Sequence, residues 1–175
     1  MKTTSQGLTL REQKNVSKKQ IFKKYSIDSS VRACILLDIQ DITARAILLE
    51  ACSVADIAVI YIGEDVLVSL KNVVAVNSLG PDEYFGFDAF IVADTSSNVD
   101  IMALMRAWVV PILPRVNHLS SSLHEFDPIH FEGNSFLFSK VHPYAMFEKV
   151  ISYLENIKFP EDRRILLKNV SNTFA

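Results

Sequence analysis

From residue 33 onward, six short apolar runs recur along the chain: ACILLDI (33–39), IAVIYIG (57–63), NVVAVN (72–77), AFIVAD (89–94), VPILP (110–114) and SFLFS (135–139). Polar residues scarcely alternate within them, which is the pattern of strands covered on both faces. The intervening segments carry helical periodicity. TARAILLEACSVA predicts a helix with Ala44, Ile47, Leu48 and Ala51 on one face. NVDIMALMRAWV sets Ile101, Leu104, Met105 and Trp108 at helical spacing, with Ser97 or Asn98 as the cap and Asp100 in the first turn. HPYAMFEKVISYLENI places Pro143 near its first turn and Phe147, Val150, Ile151 and Leu154 in one stripe. A final helix, EDRRILLKNVSNTF, opens on acids and carries its basic residues later.

Strands that alternate with helices imply right-handed crossovers and a mostly parallel sheet. The expected fold is α/β: a three-layer, Rossmann-like domain with a six-stranded, mostly parallel sheet and helices on both faces. No internal repeat or low-complexity segment interrupts it, so residues 17–175 are expected to form one domain behind a basic, flexible tail at 1–16. Ser17 is the expected cap of a short helix, KKQIFKKY, whose Ile21, Phe22 and Tyr25 form an apolar patch among lysines. Such a helix docks on a domain with its lysine stems splayed to water.

Charge sharpens this picture. Residues 1–30 carry seven Lys and Arg against Glu12 and Asp28, while the whole chain has a net charge of −2, so the body is acidic. An acidic body argues against nucleic acid as a partner. The basic start is poor in acids, as a mitochondrial presequence is, but it favours Lys over Arg and lacks an amphipathic stripe before Val16. It also lacks the apolar core of a signal peptide, and no apolar run reaches the ~20 residues that span a bilayer. A cytoplasmic setting is the expectation. Cys34 and Cys52 both fall in apolar segments and read as buried thiols.

In an open parallel sheet, ligands sit beyond the carboxyl ends of the strands. The polar residues expected there are Asp38 and Asp41, Gly63 to Asp65, Gly80 and Asp82, Asp94 to Ser97, and Arg115, Asn117 and His118. Of these, Gly63, Glu64, Gly80, Asp94, Thr95, Ser96 and Arg115 are the candidate ligand contacts.

The order of parts resembles the C-terminal, donor-binding half of the GT-B retaining glycosyltransferases over about residues 16–170. KKQIFKKYSID resembles the basic helix before the donor domain, and LLEACSVADIAVIYIGE a crossover helix leading to a strand that ends in Gly. VVAVNSLGPDEYFGFDAFIVADTSS, MALMRAWVVPIL and FEGNSFLFSKVHPYAMFEKVISYLEN resemble the family's later strands and helices in order. The resemblance implies a Rossmann-like fold and a nucleotide-sugar site. It also implies paired glutamates that hold ribose and sugar, which fall here near Ser96 and at Leu104. Arg and Lys for the diphosphate are implied after the first strand, where Asp38, Ile39, Asp41 and Thr43 stand with Arg45 close by. Val109 and Ser135 occupy positions where the family prefers Gly. A leucine side chain accepts no hydrogen bond, and carboxylates repel a diphosphate. The acceptor domain that completes the family's cleft is expected to be missing.

Other constellations are less specific. The four histidines lie between His118 and His142, and their spacing fits no compact zinc pattern, so no metal is expected. Ser120 to Ser122 beside His124 lack the glycine pattern of a nucleophile elbow. Asp38, Asp41 and Asp94 suggest a phospho-receiver pocket, but Arg115 follows the fifth strand where a lysine is needed. The last helix presents Ile165, Leu166, Val170 and Phe174, which either fold back or meet a second copy or partner protein. The expected function is a non-catalytic glycosyltransferase-like interaction or regulatory module that self-associates and needs no cofactor. The alternative is a nucleotide-sugar-binding subunit completed by a separate acceptor-domain protein.

Overall fold

Apolar runs with no polar face must pair with one another, and each of the six does so. A computed structural model of the chain describes residues 9–63, 69–93, 99–119 and 121–174. The strands are β1 (Ala33–Asp38), β2 (Ile57–Ile62), β3 (Val73–Val76), β4 (Ala89–Val92), β5 (Val110–Pro114) and β6 (Phe136–Phe138). They form one sheet in the order β3-β2-β1-β4-β5-β6, with every pairing parallel. Central β1 is buried along its whole length, and its Ile35 pairs with Val59 on one side and Ala89 on the other. Edge strand β3 is only half-buried.

Topology assigns the helices to faces. From β1 the chain steps outward to β2 through α2 (Ile42–Val54), and from β4 it steps the opposite way to β5 through α3 (Ile101–Arg106). Right-handed crossovers in opposite directions put these helices on opposite faces. Helix α4 (Pro143–Asn156) packs with α2, and α5 (Pro160–Asn172) packs with α3. The return from β3 to β4 runs through a 3-10 turn at Pro81–Gly86, against which α1 (Leu10–Lys24) lies. The three-layer, all-parallel architecture is the one expected.

Three local expectations are corrected. Helix α1 begins at Leu10, not after Ser17, because Thr9 and Glu12 form a reciprocal capping box that satisfies the free amides of its first turn. Residues 10–16 are therefore helical. The buried stripe of α2 is Ala44, Leu48, Leu49 and Cys52, which leaves Ile47 on its exposed side. Asp100, not Ser97 or Asn98, caps α3.

The last helix folds back. Leu166 and Val170 have no exposed surface and lie in the chain's own core, while Ile165 and Phe174 pack partly against it. Burying Leu166 and Val170 contributes about 2 kcal/mol each. Leu166 and Val170 thus take the folded-back alternative, while Ile165 and Phe174 keep some exposed surface.

Candidate functional site

The switch in strand order lies between β1 and β4, the neighbours from which the chain runs outward both ways. In open parallel sheets the ligand crevice lies at such a switch, at the carboxyl edge. Asp38 ends β1 and is buried, with its Oδ1 accepting from the Gln40 amide at 3.2 Å. Asp41 does not turn into the crevice as a second acid. Its side chain caps α2, accepting from the Ala44 N–H at 3.0 Å. Across the switch, Asp100 caps α3 in the same way, accepting from Ala103 N–H at 2.9 Å. A helix amino terminus attracts a phosphate through its free amides and positive partial charge. At both helices that border this crevice, the position is already taken by a carboxylate.

Gly63 follows β2 at the same edge. Its amide is spent in the sheet, donating to Val76 O at 3.0 Å. Its φ of +152° favours glycine, and a Cβ there would stand 2.8 Å from Arg45 Nη1, the far end of a flexible side chain. Arg45 spans this corner: its guanidinium lies 5.2 Å from the Tyr61 ring centroid, and Nη1 donates to Ile39 O at 3.2 Å. The gap at Gly63 is filled by an arginine of the chain itself.

Arg115 follows β5 with its side chain exposed and its amide donating to Phe138 O at 2.8 Å. Three strand spacings, about 14 Å, separate β2 from β5, so Gly63 and Arg115 stand on opposite sides of the switch. Gly80 is engaged elsewhere. Its amide donates to Glu83 Oε2 at 2.9 Å, and the other oxygen of Glu83 takes Lys24 at 2.8 Å and Tyr25 at 3.1 Å, at the end of α1. Glu64, Asp94, Thr95 and Ser96 lie outside the described residues. Leu104, where the resemblance places a sugar-binding glutamate, is fully buried in the core.

Exposed apolar side chains gather at this edge. Ile42 opens α2, Met102 opens α3, Val116 follows β5, and Val141 and Tyr144 flank the start of α4, all of them exposed. These make up five of the eleven exposed large hydrophobic residues among those described. Among the described residues the edge thus combines exposed hydrocarbon with the cations Arg45 and Arg115.

The remaining polar constellations have local roles. His130 Nδ1 pairs with Asp127 Oδ2 at 2.7 Å on the surface, and this bond raises the His130 pKa and lowers that of Asp127. Among the described residues no group of three His, Cys, Asp or Glu side chains converges as a metal site would. Cys34 and Cys52 are buried free thiols, and burial raises both pKa values, that of Cys52 to about 12. Within the described residues no helix is long and apolar enough to cross a membrane.

At the opposite, amino edge stands a network that the sequence pattern does not reveal. Asp88, just before β4, takes Lys18 Nζ at 2.5 Å and the Cys34 amide at 2.9 Å on the same oxygen. Lys14 is buried beside it, with its ammonium donating to Phe87 O at 2.5 Å and Trp108 O at 3.1 Å. Burial lowers the Lys14 pKa to about 8. For Asp88, burial alone would raise the pKa, but Lys18, Lys14 and the Cys34 amide together bring it below the ordinary carboxyl value.

The fold has relatives of known structure. The catalytic domain of starch synthase IV from Arabidopsis thaliana, bound to ADP and acarbose, superposes with a TM-score of 0.71 at 14% identity, covering 96% of this chain and 41% of that one. Sucrose-phosphate synthase from Thermosynechococcus elongatus does so with a TM-score of 0.59 at 13% identity, covering 91% of this chain and 43% of that one. The chain thus spans about two fifths of each neighbour's length. No protein-family model matches the sequence, and neither does any curated protein sequence. The chain has the fold of the C-terminal domain of a GT-B glycosyltransferase.

Proposed function

We propose that this chain is a non-catalytic, glycosyltransferase-like domain that acts as an interaction or regulatory module and self-associates through its carboxyl edge. One observation carries this reading: the two helices that border the switch crevice are both capped by aspartates, Asp41 and Asp100. A diphosphate arriving there would displace a cap worth about 1 kcal/mol at each helix and then face the displaced carboxylate. The exposed Ile42, Val116, Val141 and Tyr144 on the same edge suit a protein surface better than a sugar nucleotide. Sedimentation velocity across concentration tests the reading. A dimer that Ile42→Lys together with Tyr144→Lys returns to monomer is expected; a monomer at every concentration contradicts it.

A second reading makes the chain a nucleotide-sugar-binding subunit completed by a separate acceptor-domain protein. It is favoured by Arg45 and Arg115, cations that flank the crevice, and by the ADP in the starch synthase neighbour. Calorimetry with UDP, ADP and their glucose conjugates separates the two readings through heat that Arg45→Gln removes.

A further inference from the structure

A chain whose net charge is −2 gathers a third of its eighteen Lys and Arg residues around one cleft at the amino edge. The cleft has a volume of about 800 Å³ and lies between the start of α1 and helix α5. Arg11, Lys14, Lys158, Arg163, Arg164 and Lys168 line it, and among the described residues no acidic one does. Lys158 and Arg164 are neutralised from outside by Glu155 and Glu161. Among the described residues, Arg11, Lys14, Arg163 and Lys168 have no acidic partner in direct contact. Trp108 and Leu167 supply apolar wall.

Like charges around a common space repel, and Arg163 of the cleft reaches the buried lysine: burial lowers the Lys14 pKa most, Asp88 pulls it back up, and Lys18 and Arg163 push it down again. An arrangement of this kind gains most from a multivalent anion. Trp108 holds a left-handed backbone, φ +60°, which is rare for a bulky residue and keeps its carbonyl on Lys14. The cleft's size lies within the range of small-molecule sites, and an aromatic wall beside cations matches a planar ring linked to phosphates.

We infer that this amino-edge cleft binds a nucleoside polyphosphate, with Arg11, Arg163 and Lys168 on the phosphates and Trp108 against the base. The site lies across the sheet from the crevice at the carboxyl edge and is independent of the function proposed above. Because Trp108 is the chain's one tryptophan, its fluorescence reports on the cleft directly.

The experiment titrates the full chain with ATP at low salt and follows Trp108 emission, with pyrophosphate and adenosine in parallel. ATP is expected to change the emission saturably, pyrophosphate to compete with it, and adenosine to bind at least about tenfold more weakly than ATP. Arg163→Gln with Lys168→Gln removes two exposed charges and weakens ATP by about tenfold or more. Arg11→Gln tests the same contact from α1, so a folding defect in the double variant does not leave the site untested. No response up to about 5 mM ATP, or affinity unchanged in both variants, overturns the assignment. A response lost on Arg115→Gln instead would place the ligand on the carboxyl edge and also overturn it.

Discussion

One oxygen of Asp88 binds two elements at once: Oδ2 takes the Lys18 ammonium from α1 at 2.5 Å and the Cys34 amide from β1 at 2.9 Å. Asp88 itself leads into β4, so this carboxylate pins the first helix to the two central strands. It sits nearly buried, with 7% of its surface exposed, and removing one partner of such a pair leaves the others uncompensated.

Asp88→Asn should therefore destabilise the fold by about 3 kcal/mol, read from urea unfolding. The lowered carboxyl pKa sets the sign of its pH dependence. Its stabilisation is present above the ordinary carboxyl value and is lost as pH falls through the folded one. The variant should lose that acid-side slope.

Lys14 predicts the opposite flank. Its folded pKa of about 8 lies below the ordinary 10.5, chiefly because it is buried. Between those values the unfolded chain holds a proton that the folded chain has released, so stability rises with pH from about 8. Above the ordinary thiol value of 9.0, the buried Cys34 and Cys52 act against this, since only their unfolded forms ionise. Unfolding midpoints should climb from about pH 7.5 to about 9 and then fall, because two thiols outweigh one ammonium, and Lys14→Met should abolish the climb.

Gly133 fixes the connector between β5 and β6. It has φ +83°, and a Cβ there would stand 2.1 Å from the Glu125 carbonyl oxygen. Gly133→Ala should cost about 3 kcal/mol or more, because strain and a backbone clash coincide. Glu125 also takes the Leu137 amide and Lys149, so β6 should lose amide protection first in hydrogen exchange.

Much of the frame was legible in the sequence for a physical reason. Parallel strands buried on both faces read as unbroken apolar runs, and all six runs became strands. Helix α4 was equally plain, with Pro143 at its start and a single apolar stripe. The face of α2 was not, because AILLEAC is apolar nearly all round and packing against β2 and α4, not period, sets which side is buried. Thr9 and Glu12 carried a readable capping signal that would have started α1 correctly. The site was less legible. An aspartate after a strand looks like a ligand in sequence, whereas Asp41 spends its carboxylate on its own helix. Lys18 and Asp88 meet across seventy residues, and the cleft's cations come from α1, α5 and the turn before α5, so only the fold brings them together.

The proposed function requires a glycosyltransferase frame in which the chain's own side chains stand where a donor would be held. Amide NMR spectra recorded with UDP-glucose and ADP-glucose test it most directly. No shifts are expected at Gly63, at Asp41 to Ala44, or at Asp100 to Ala103. Saturable shifts clustered on those residues would show a working donor site and contradict it.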